Sequence, residues 1–90
     1  MSNVLTLTLK REFFDAILSG EKTTEYRDIT SYWTPRLENK EHDTIVFRNG
    51  YNATSPTMTV EYKGLTIDRD SNPNRYALLL GKVLDTNNVN

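Results

Sequence analysis

The 90-residue chain contains no cysteine. That excludes disulfides, cysteine-ligated zinc and a thiol nucleophile, and it removes the usual sign of an oxidising compartment. Glycine and proline are scarce, and no glycine-rich loop exists to cradle phosphates. Ser31, Ser55 and Ser71 lack the Gly-x-Ser-x-Gly setting of a hydrolase nucleophile. The single histidine, His42, stands between Glu41 and Asp43 in a charged loop and reads as solvated. No metal or other cofactor is expected. Long apolar runs are missing too, so nothing approaches the roughly 20 residues of a membrane-spanning helix. The first four residues have neither the charged nor the apolar part of a signal peptide, which leaves the Asn52-Ala53-Thr54 glycosylation motif without meaning. A soluble, cytoplasmic protein with no membrane partner is the expectation. There is also no excess of charge: 11 Lys and Arg against 12 Asp and Glu give −1. Any contact with nucleic acid must therefore come from a local patch.

What is present suits one small domain with its core between about residues 4 and 84. Residues 4–10 alternate Leu5, Leu7 and Leu9 with Thr6 and Thr8, the pattern of a half-buried strand. From Arg11 the period changes to that of a helix ending at Gly20, with Phe13, Ile17 and either Phe14 or Leu18 inward. Residues 23–28 open a second strand. Residues 30–38 suit a one- or two-turn helix with Thr34 as cap and Pro35 at its first position. After a charged loop, residues 44–48 form a strand closed by Asn49-Gly50, and a wider loop carries Tyr51.

Residues 57–68 form a long strand whose apolar parity changes between Met58, Val60, Tyr62 and Leu65, Ile67. Gly64 at the changeover predicts a β-bulge. The polar loop 68–75 should be mobile. Residues 76–84 make a last, mostly apolar strand, although periodicity alone also admits a helix, and residues 85–90 should fray. The fold class is mixed α/β but mainly β: a small barrel of about five strands, one short helix after the first strand, and one short helical turn.

The stretch that carries chemistry is residues 20–28. Just past the helix end come Lys22, Glu25 and Arg27, with Tyr26 between them. On a strand Glu25 and Arg27 share a face and Tyr26 takes the other. Such a cluster can hold an anion. It can also neutralise itself as a surface pair contributing ~0–1 kcal/mol, with Lys22 in water.

Gly20, Lys22, Glu25 and Arg27 match Gly-x-Lys-x-x-Glu-x-Arg, and the chain thereby resembles the ASCH domain, a small relative of the RNA-binding PUA domain. The flanking first strand and helix agree, and the likeness runs from about residue 4 to residue 48. The resemblance implies a PUA-like barrel with these positions at the mouth of a ligand cleft. Lys22 would supply a point charge and Arg27 a forked donor, while Glu25 orients one of them or accepts from a base.

Tyr26, Tyr32, Trp33 and Tyr51 lie near the charged stretch or on a loop. Rings interleaved with basic residues are how proteins stack single-stranded bases, although Trp33 also suits a plug at one end of the barrel. Arg48 beside its turn reads equally as a second phosphate contact or as a solvated strand end. The implied function is binding of RNA or a nucleotide-like small molecule through Lys22, Glu25, Tyr26, Arg27, Trp33 and Arg48.

A second class is enzymatic, because some short ASCH proteins are amidohydrolases acting on N4-acetylcytidine. Lys22 matches their lysine, and Lys22 with Glu25 would be the catalytic candidates. Their threonine position is Glu25 here, however, with Thr24 one place short, and Asp68 and Asp70 are the only acids near their later glutamate.

Overall fold

The computed structural model describes residues 3–89. Along the chain run β1 (Val4–Thr8), α1 (Arg11–Ser19), β2 (Thr24–Asp28), α2 (Thr34–Leu37), β3 (Thr44–Arg48), β4 (Thr57–Asp68) and β5 (Arg75–Asn87). The five strands form one sheet in the order β1-β3-β4-β5-β2, curled into a half-barrel, so the expected mainly-β barrel is found with β1 and β2 as its two free edges. No helix among the described residues is long and apolar enough to cross a membrane.

β1 lies parallel to β3, with Leu5 opposite Ile45 and Leu7 opposite Phe47. All four are buried, as the alternation of β1 requires. A parallel pair needs a long crossover, and α1, β2 and α2 together supply it. The strand assignment ends at Thr8 rather than at Lys10, although the Leu9 N–H still reaches the Arg48 carbonyl at 2.7 Å. In α1 the buried residues are Phe14 and Ile17, with Leu18 packed beside them. Phe13, expected inside, is instead 42% exposed, because the face 14, 17, 18 leaves it a quarter-turn away.

β4 and β5 form the long antiparallel hairpin of the sheet. Its register shifts in steps between Thr59 and Gly64, so the irregularity expected at Gly64 is present and extends further back than the parity change alone indicated. Gly64 has φ +139°, a conformation that side-chain-bearing residues rarely adopt, and beyond it Leu65 and Ile67 return to the inner side. β5 begins one residue earlier than the apolar run and continues to Asn87. The fraying expected from residue 85 is corrected there: Asp85, Thr86 and Asn87 pair with Thr59, Met58 and Thr57. A polar strand end is stable when a partner strand satisfies its backbone. Residue 90 of that expectation lies outside the described residues.

α2 is a single turn. Thr34 is its first residue rather than its cap, and Trp33 holds the cap position without a side-chain bond. The Thr34 hydroxyl is engaged elsewhere, 2.8 Å from the hydroxyl of the fully buried Tyr76, which also donates a short hydrogen bond to Glu38. Tyr76 gives its only proton to Glu38, so Thr34 is the donor to Tyr76. That bond to Glu38 holds the Tyr76 phenol above its usual range. With Leu37 buried below it, the turn is anchored across the interior of the half-barrel.

Candidate functional site

The site begins at the end of α1. Gly20 adopts φ +88° and ψ 0°, the left-handed turn that glycine allows at a helix C-terminus, and its N–H bonds the Ile17 carbonyl. The chain thereby doubles back until the Lys22 N–H meets the Ala16 carbonyl at 3.0 Å. Lys22 is thus fixed at its backbone before its side chain makes any contact. Two residues on, β2 starts and aligns antiparallel to β5, with Glu25 opposite Leu78 and Arg27 opposite Tyr76. Leu78 and Tyr76 are both fully buried, so the shared face of Glu25 and Arg27 is the inner one.

Glu25 is 7% exposed, one of two buried polar or charged residues, with Ser55, among the described residues. One of its oxygens lies 3.4 Å from Lys22 Nζ, and the other accepts from Arg27 Nη2 at 2.9 Å. Of the two readings of the cluster, neither describes this fully: Glu25 pairs with Arg27 as the self-neutralising reading expects, yet Lys22 is also drawn in. Arg27 Nη2 donates in addition to the Thr8 carbonyl at 3.2 Å, which joins the edge strand β2 to the edge strand β1. Arg27 Nε is buried without a partner.

Two adjoining hollows meet at this cluster. One, of about 320 Å³, is bounded by Thr8 to Lys10, Phe13, Glu25 to Asp28 and Trp33. The other, of about 230 Å³, is bounded by Phe13, Lys22, Glu25, Tyr26 and Arg75. Tyr26 takes the outward face, with Lys22 Nζ 5.0 Å and the Arg75 guanidinium 3.7 Å from its ring centre. Nothing in the sequence near Arg75 marks it as a residue of this cluster. It is placed by Asp68, whose carboxylate it bonds at 2.8 Å and thereby holds below the usual range. The same pair ties together the two ends of the loop expected to be mobile.

Trp33 stands at the border. Its ring packs against the core, lies 5.0 Å from the Arg27 guanidinium and meets Tyr32 edge-on at 4.8 Å. It is at once a wall of the cleft and a partial plug of the core. Three other candidates lie elsewhere. Arg48 follows the buried Phe47 and so faces outward, where it donates to the Asn52 carbonyl at 3.3 Å. It lines neither hollow. Tyr51 is 83% exposed on its loop. His42 is a correction: its ring is half-buried beside Tyr62, with Nε2 3.2 Å from the Arg36 carbonyl, because the loop folds back over α2 instead of extending into water.

Within the cleft, Lys10, Lys22, Arg27 and Arg75 face Glu25 and Asp28. The arrangement offers fixed donors to an anion, apolar ring surface to a flat group, and one carboxylate able to accept. Compared with known protein families and with curated proteins, the chain matches none of them.

Proposed function

We propose that the chain is an ASCH-like, PUA-like domain that binds single-stranded RNA or a nucleotide-like ligand in the cleft around Lys22, Glu25 and Arg27. The observation that carries this reading is the buried Glu25 holding both cations at the mouth of a concave surface walled by Phe13, Tyr26 and Trp33. Cations held from behind by a buried carboxylate are preorganised, so a ligand phosphate or carbonyl meets donors already in place. The rings beside them supply stacking surface. A cytoplasmic setting, where RNA is found, suits a chain without cysteine.

Hydrolysis of N4-acetylcytidine has less support. The residue three places after Lys22 is an ion-paired carboxylate instead of a hydroxyl, and Asp68 is committed to Arg75.

The test is a titration of single-stranded RNA against wild type, Lys22→Ala, Arg27→Lys and Trp33→Ala at two salt concentrations, with melting followed in parallel. Lys22→Ala should weaken binding about tenfold, the loss of one charge-assisted bond of ~1.5 kcal/mol, with little change in stability. The salt slope should be shallow, since two or three phosphate contacts release few counterions. Binding by Lys22→Ala and Arg27→Lys equal to that of wild type would refute the cleft.

A further inference from the structure

Across Trp33 from the cleft lies a larger hollow of about 510 Å³, whose walls include Thr6, Tyr32, Trp33, Arg36, Lys40 and His42. Its charge is unlike that of the cleft. No carboxylate lines it, whereas Glu25 and Asp28 both line the first. Among the described residues neither Arg36 nor Lys40 has a carboxylate partner within ion-pair distance, while Lys22, Arg27 and Arg75 are all paired. Arg36 and Lys40 thus give this one hollow two cations and no anion, while on its other side Lys40 borders hollows lined by Glu38, Glu41 and Asp43.

Arg36 is also held in position. Its guanidinium lies 3.7 Å from the centre of the Tyr32 ring and its Nη1 donates to the Tyr32 carbonyl at 2.6 Å. The Arg36 backbone is propped by His42, whose Nε2 must carry the proton because a carbonyl only accepts. A guanidinium fixed at one corner and resting over a ring keeps its remaining N–H groups for a tetrahedral anion and loses little freedom on binding.

Accepting the cleft as the binding site, we propose that this hollow holds a backbone phosphate of the same ligand, which makes that ligand a single-stranded oligonucleotide and not a free nucleoside. Trp33 walls both hollows, so the cleft and the phosphate site are one indole apart, and a strand passes from one to the other over that ring. The division of labour follows from charge. The cleft, with Glu25 as an acceptor, suits a base, and the carboxylate-free hollow suits the phosphate.

The probes are a mixed-sequence hexameric RNA, the four free ribonucleosides and inorganic phosphate. Arg36→Gln and Lys40→Gln should each weaken hexamer binding about tenfold. Each should also flatten its salt slope by about 0.7, the value for one phosphate contact on a single strand. Free nucleosides should behave identically with wild type and both variants. Inorganic phosphate should compete with the hexamer in wild type and lose that effect in the variants. Lys40 has no ion pair to lose, so its variant tests the site even where Arg36→Gln disturbs α2. Hexamer binding weakened by Lys22→Ala yet unchanged in affinity and slope by both Gln variants overturns the phosphate site alone. A wild type that does not bind the hexamer overturns the cleft and the phosphate site together.

Discussion

Replacing Glu25 by Gln gives the clearest reading of how the site is held. The carboxylate is buried and touches two cations, whose side chains keep only 21% (Lys22) and 18% (Arg27) of their surface exposed. Gln has the same shape and still accepts one hydrogen bond, but its amide cannot neutralise either partner. Stranding one member of a fully buried pair costs about 3–5 kcal/mol. Here water reaches a fifth of each cation and takes up part of the charge, so we expect about 2–3 kcal/mol. For a domain of this size that lowers Tm by roughly 10–20 °C. The loss is a large fraction of the ~5–13 kcal/mol that 90 residues ordinarily provide. Urea denaturation followed by Trp33 fluorescence and far-ultraviolet dichroism measures it. A Glu25→Gln protein within about 0.5 kcal/mol of wild type would refute the reasoning, for a loss that small is what an exposed surface pair gives.

Gly64→Ala should cost about 1–3 kcal/mol even though no atom stands within 4 Å of the added methyl, because the penalty lies in φ +139°; equal urea midpoints for the two proteins would show the bulge to be dispensable. Stability should fall at both ends of the pH scale. The carboxyls of Asp68, bonded by Arg75, and Glu61, bonded by the Lys82 N–H and by Lys63, are lowered by folding, so their contribution is full above pH ~5 and lost as pH drops through the folded values. Tyr76, bonded to Glu38, and Tyr62, desolvated by burial, are raised, so theirs is full below pH ~10 and lost above it. Denaturation across pH should therefore show a shallower alkaline fall in Tyr76→Phe than in wild type. The protein should not turn over N4-acetylcytidine efficiently, as chromatography of the nucleoside after incubation will report; turnover abolished by Lys22→Ala would reverse that view.

Local chemistry made much of this legible. The Leu5, Leu7, Leu9 alternation, the parity change near Gly64 and the glycine stop after α1 each state a backbone demand within a few residues. Long-range pairing is what stayed hidden. Nothing in Asp85, Thr86 and Asn87 announces a strand, because its support comes from the backbone of residues 57–59. Nor does Thr34 reveal that its hydroxyl serves Tyr76, 42 residues away, instead of capping its own helix. In the site, Lys22, Glu25 and Arg27 were found because their spacing is local. Arg75 joins them only through the pairing of β2 with β5, and Arg36 on α2 and Lys40 on the loop after it share a hollow only once that loop folds back beside Trp33. His42 is hidden for a related reason: flanking acids describe its sequence neighbours, whereas its ring lies beside Tyr62.

The bond from Arg27 to the Thr8 carbonyl also bears on solubility. A half-barrel has two edges, and each unpaired edge is an invitation for another chain to add a strand. Here the two edges turn toward one another at the Arg27 end, and a side chain from one occupies a backbone acceptor of the other. Arg27 thus covers one acceptor of the β1 edge, and a new strand would have to displace it. A substitution that releases it should leave a protein that is folded by dichroism but self-associates as concentration rises.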